Sequence, residues 1–137
     1  MVKAPAQVLA SALYADDLDT AERFYADVLG LEKIARAGNR HVFFKCGPGV
    51  LLIFNPAETA IPYKVGQLPV PPHGAHGPGH LCFKAEADEL DGWRDRLTVA
   101  GVEIESDMAW PQGGRSIYFR DPAGNSLEFT EARIWGL

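Results

Sequence analysis

An imidazole, a phenol and a carboxylate stand in three short, otherwise apolar segments: His80 in "GHLCF", Tyr118 in "RSIYF" and Glu128 in "NSLEF". Such groups move protons, hold a cation or orient an oxygen. Glu128 raises the sharpest question, because a charge between Leu127 and Phe129 is costly unless solvent or a partner compensates it. Side chains alternate across a strand, so residues two apart share a face. In 79–84, Leu81 and Phe83 share one face, and His80, Cys82 and Lys84 the other. In 115–120, Ile117 and Phe119 oppose Ser116 and Tyr118. In 126–130, Leu127 and Phe129 oppose Ser126, Glu128 and Thr130. The apolar sets suit packing against a helix, which leaves a polar surface lined by His80, Tyr118 and Glu128. Parity alone leaves both open solvent and a cavity as its surroundings.

The elements that must position these groups come in a repeat. Residues 7–32 and 79–105 each read as a short strand, an acidic turn, an amphipathic helix, a glycine and a further strand. Leu18, Ala21, Tyr25 and Val28 fall on one helical face, and Leu90, Trp93, Leu97 and Ala100 repeat that spacing. Asp17 and Asp88 occupy expected N-cap positions, and Gly30 and Gly101 fall just past the helix ends, where a left-handed residue is wanted. Strand-like runs follow at 31–36, 40–45 and 49–54, and again at 102–107, 115–120 and 126–131, separated by "AGN", "CGPG" and "DPAGN". Each half therefore reads β-α-β-β-β. The expected organisation is one domain over 1–137, with modules at 6–55 and 79–132 and a Pro/Gly-rich linker at 56–78. A loop of about twenty residues is long enough to be functional.

Composition narrows the function class. The formal charge of −5, with no local Lys/Arg cluster, argues against nucleic acid as a partner. No apolar run reaches the ~20 residues of a membrane span. Gln7, Ser11 and the aspartates that follow interrupt any signal-peptide core. Two cysteines, Cys46 and Cys82, give neither a disulfide framework nor zinc spacing. A cytoplasmic protein with reduced thiols and no membrane association is expected.

"DLDTAERFYADVLGLE", "GHLCF" and "YFRDPAGNSLEF" together resemble the vicinal oxygen chelate superfamily. That group includes glyoxalase I, bleomycin-resistance proteins, fosfomycin-resistance thiol transferases and extradiol dioxygenases. The resemblance implies an α+β fold of two paired βαβββ modules forming a cup-shaped mixed sheet. It also implies a divalent metal (Zn, Mn, Fe or Ni) held by residues of the first and last strand of each module. His80 and Glu128 match those ligand positions in the second module, whereas Ala10 and Leu52 stand at the corresponding positions of the first. Tyr118 aligns with a tyrosine that contacts substrate in the thiol transferases. His73, in the linker run "PPHGAHGPGH" with His76, is a candidate third ligand or general base, and His41 a weaker one. Trp110 offers a stacking surface and Arg115 a partner for an anionic group, while Phe54 and Tyr14 are candidate aromatic wall.

The resemblance thus implies a glyoxalase-like, metal-assisted lyase, isomerase or thiol transferase acting on a small oxygenated electrophile. A metal-free small-molecule binder of the bleomycin-resistance type is the alternative. The extradiol reaction is disfavoured by chain length and by the missing third ligand. A homodimer is the expected assembly.

Overall fold

The computed structural model describes residues 1–137. In the first half, β1 (Ala10–Tyr14) leads to α1 (Leu18–Arg23), then β2 (Glu32–Ala37), β3 (His41–Cys46) and β4 (Gly49–Phe54). A one-turn helix α2 (Pro56–Thr59) opens the segment expected as a linker. The second half repeats the order with β5 (His80–Lys84), α3 (Leu90–Val99), β6 (Ser106–Ala109), β7 (Arg115–Arg120) and β8 (Ser126–Thr130). Two compact units divide at His76 and Gly77. Each carries its own mixed four-stranded sheet, ordered β1-β4-β3-β2 and β5-β8-β7-β6. The α+β class and the paired βαβββ modules are as expected.

Both sheets are built on one plan. The first and last strands of each module run parallel, and the other neighbours are antiparallel. In the second module, Leu127, Phe129, Ile117 and Phe119 are buried on the helix side, where Leu90 and Leu97 meet them and Trp93 stacks on Phe129 at 4.3 Å. In the first, Leu51, Ile53, Val42 and Phe44 pack with Leu18, Ala21 and Tyr25. Alternation delivers the remaining side chains of each strand to the opposite face.

Several local expectations change. The first helix passes into a π turn at Phe24–Val28, where Leu29 N–H donates to Phe24 O at 3.2 Å. One extra residue in that turn rotates the face, so Leu29 is buried where Val28 was expected. Asp17 caps α1 by accepting from Thr20 N–H. Asp88 is no cap: a preceding 3₁₀ turn starts earlier, and Glu86 and Glu89 form a reciprocal capping box around it. Ala100 lies exposed past the last turn of α3. The strand expected at 102–107 starts only at Ser106, because Val102 N–H instead closes the helix end on Leu97 O. Gly30 and Gly101 hold φ of 75° and 79° as their helix-end positions require.

Candidate functional site

The second module brings three of the sequence candidates onto one face. His80 on β5 and Tyr118 on β7 flank Glu128 on β8, which pairs in register with both Cys82 and Tyr118. His80 Nε2 stands 3.3 Å from Glu128 Oε1, and the imidazole ring lies 6.3 Å from the Tyr118 ring, nearly parallel to it. The Glu128 side chain is only 7% exposed and the His80 side chain 51%. A buried carboxylate thus backs an imidazole that meets solvent.

Hydrogen bonding orients that imidazole. His80 Nδ1 lies 3.0 Å from Ser126 O, which has no proton to give, so Nδ1–H donates. Nε2 then points at the carboxylate. That face-to-face placement of a ring nitrogen and a carboxylate oxygen, 3.3 Å apart, suits holding a proton or a cation between them.

The other carboxylate oxygen is engaged. Ser116 Oγ donates to Glu128 Oε2 at 2.5 Å, and Trp110 Nε1–H donates to Ser116 Oγ at 2.8 Å. Thr130 Oγ1, 2.8 Å from Ser116 Oγ, donates to Arg115 O at 3.0 Å. No buried side-chain nitrogen or oxygen is left without a partner. Burial first, and then the charge of Glu128, pushes the Cys82 thiol up to about 12. That rules out a thiolate nucleophile at neutral pH. The same two causes raise the Tyr118 phenol, so it remains a proton donor.

The remaining candidates lie elsewhere or are already occupied. Trp110 joins the site through its N–H, as a support for Ser116. Arg115 is held by Asp107 at 2.8 Å and Asp91 at 2.7 Å, which commits its guanidinium to carboxylates of its own module. Tyr14, Phe54 and His73 gather in the first module, with Tyr14 Oη 2.8 Å from His73 Nδ1 and the rings of Phe54 and His73 edge-on at 4.6 Å. His41 stacks on Phe43 beside them, and His76 is exposed. Ser116 was missed as a functional residue, although strand parity had already placed it on the face of Glu128.

The same register, read in the first module, accounts for what it lacks. Ala10 pairs with Val50 as His80 does with Ser126, and Leu52 pairs with Phe43 as Glu128 does with Tyr118. Ala10 and Leu52 therefore occupy the counterparts of His80 and Glu128.

The profile of the glyoxalase/bleomycin resistance protein/dioxygenase superfamily matches residues 7–129. The chain belongs to this superfamily. A lactoylglutathione lyase from Agrobacterium tumefaciens is similar in structure, with TM-score 0.94 and 46% identity over 98% of this chain and 100% of that one. TioX from Micromonospora sp. ML1 is similar at TM-score 0.70 and 25% identity, over 92% of this chain and 98% of that one. Metallothiol transferase FosB of Shouchella clausii is 41% identical over 51 residues. The match spans 36% of this chain and about a third, 35%, of that curated relative's length.

The name of that last superfamily member raises the question of a metal. The 3.3 Å between His80 Nε2 and Glu128 Oε1 suits two neighbouring ligands, which for bonds of about 2.1 Å stand about 3.0–3.4 Å apart. The Nδ1–H bond to a carbonyl is also what a ligating histidine makes. The shell stops there. No group of three or more His, Cys, Asp or Glu side chains comes together, Cys82 keeps its proton, and the first-module counterparts are Ala10 and Leu52. Catalytic metal sites use three protein ligands plus open positions. The donors fall one short, so they do not fit a resident catalytic metal.

Proposed function

We propose that this superfamily member is a glyoxalase-like enzyme, of lyase or thiol-transferase type, that acts by proton transfer on a small oxygenated electrophile. The carrying observation is the half-exposed His80 imidazole, fixed by Ser126 O, with its Nε2 3.3 Å from an oxygen of buried Glu128. Full-length similarity to a lactoylglutathione lyase supports the reaction class.

In this reading, substrate enters from the solvent side of His80, gives a proton to its Nε2, and receives it back as product forms. Glu128 stabilises the imidazolium in between, and Ser116 with Trp110 keeps Glu128 oriented. Tyr118, still protonated, donates to a substrate oxygen. A divalent ion (Zn, Mn, Fe or Ni) would have two protein ligands here, a weak site, and no step depends on it. The protein works as a homodimer in this reading.

The test is turnover of thiol adducts of 2-oxoaldehydes, of lactoylglutathione and of small epoxides with added thiol, alongside metal analysis of chelator-free protein. His80→Ala and Glu128→Gln should each lower kcat/KM by at least about 100-fold, the scale of general acid–base catalysis. Wild-type turnover that survives both substitutions would defeat the reading.

A second reading, a metal-free small-molecule binder of the bleomycin-resistance type, is favoured by Ala10 and Leu52. Tight binding of a compound without turnover of any of these substrates would select it.

A further inference from the structure

The first module holds a cavity of about 780 Å³, within the range of small-molecule sites. Its floor is the face of β3 and β4 that turns away from the helix. His41 and Phe43 stack there at 4.0 Å with 6° between planes, and Phe54 meets Phe43 edge-on at 5.5 Å. The wall is the segment after α2, including Tyr63 and Lys64. That wall is tied down: His73 N–H donates to Thr59 O at 3.0 Å, and the His73 ring is bonded to Tyr14 Oη. Gly74 packs so tightly on Pro56 that an added Cβ would stand 3.2 Å from Pro56 O. Both ends of the wall are thus fixed.

Its charge is out of keeping with the rest of the chain. The protein has a net charge of −5, and Arg36, Arg94, Arg115, Arg120 and Arg133 all pair with carboxylates, while Arg23 and Arg96, which do not, are exposed to solvent. Arg40, on the cavity wall, forms no ion pair. Its Nη1 donates to His41 Nδ1 at 2.8 Å, and its guanidinium carbon lies 5.9 Å from the centre of the Phe54 ring. An arginine can only donate, so His41 accepts on Nδ1 and is neutral in this contact. Burial and the Arg40 charge lower its pKa accordingly. Neither an imidazole lone pair nor a ring face neutralises a guanidinium. Lys64 has no ion pair either, and Glu58, which is exposed, is the single carboxylate on the lining.

Aromatic surfaces around an unneutralised, planar, bidentate donor define a ligand class. We propose that this cavity binds a planar aromatic carboxylate, its ring against Phe43 and Phe54 and its carboxylate on Arg40. The site goes beyond the proposed enzymatic function, because every one of its residues belongs to the first module and none takes part in proton transfer at His80.

The probe is 2-naphthoate, titrated into the full chain and followed by backbone amide shifts. The expected shifts fall on residues 40–43, 54 and 58–73. Arg40→Gln should weaken binding at least tenfold, Arg40→Lys less so, and the uncharged isostere 2-naphthamide should bind wild type at least tenfold more weakly than the acid. Equal affinity for acid and amide, equal binding by Arg40→Gln, or shifts confined to residues 77–137 would each overturn the assignment. If Arg40→Gln does not fold, the acid and amide comparison on wild type decides alone. His80→Ala, which removes the proton-transfer group, should leave 2-naphthoate affinity unchanged, so this site and the enzymatic reading fail or stand separately.

Discussion

Cys82 shares a face with Glu128, and its thiol is held at about 12 by burial first and then by that carboxylate's charge. At pH 8 its thiolate fraction is far below that of an ordinary cysteine. Iodoacetamide should therefore label it on the order of 100-fold more slowly than a free thiol, and Glu128→Gln should speed labelling. A free-thiol rate in wild type would place the sulfur outside the carboxylate's field. The link from Trp110 through Ser116 to Glu128 yields a second expectation. Ser116→Ala removes the donor to a buried carboxylate oxygen and should cost about 1–3 kcal/mol in urea unfolding, with Trp110→Phe costing about 1. A neutral Trp110→Phe would show that the indole N–H supports nothing. Parity made the face of Ser116 legible from the sequence, but not its bond to Trp110. That bond depends on how the chain curls between Trp110 and Gly114, where Trp110 N–H donates to Gly114 O and two glycines adopt φ of 101° and 95°. Alternation carries no information about such a turn.

At the scale of elements, strands that alternate cleanly were readable, and helix ends were not. β7 and β8 begin where expected because apolar and polar residues alternate from their first positions. The π turn after α1 and the 3₁₀ start before α3 depend on which backbone donor finds which carbonyl, a competition that side-chain spacing does not reveal. Between α3, β6 and β7, Asp107 accepts from Arg115 and Arg94. The Arg115 bond foremost, then Arg94, holds its carboxyl at about 2, below the ordinary value near 3.8. A lowered carboxyl stabilises the fold above the unfolded pKa, and that contribution is lost as pH falls through the folded one. With screening of the partly exposed Arg94 included, about 1 kcal/mol should disappear between pH 4 and pH 2. Asp107→Asn should flatten that part of the acid-unfolding curve; an unchanged slope would remove Asp107 from the account.

Across the whole molecule, the two modules share a hydrogen-bond register and differ in what it presents. The second offers an imidazole beside a buried carboxylate, and the first an aromatic cavity with an unneutralised arginine. The duplication was legible because both halves repeat strand, helix and turn signals at the same offsets. The cavity was not, because its wall comes from 58–73, where neither alternation nor helical periodicity gives a guide. No helix is long and apolar enough to cross a membrane. Light scattering on the purified chain should return twice the chain mass if the expected homodimer forms, and the monomer mass would withdraw it.

Because Ala10 and Leu52 stand where His80 and Glu128 stand in the other half, the backbone already holds a blank copy of that pair. The double substitution Ala10→His and Leu52→Glu asks for no new main-chain geometry, since both positions lie in paired strands on the face away from the core. A scaffold that carries one design twice, with only one copy inscribed, leaves selection or an engineer a second imidazole–carboxylate pair two point changes away.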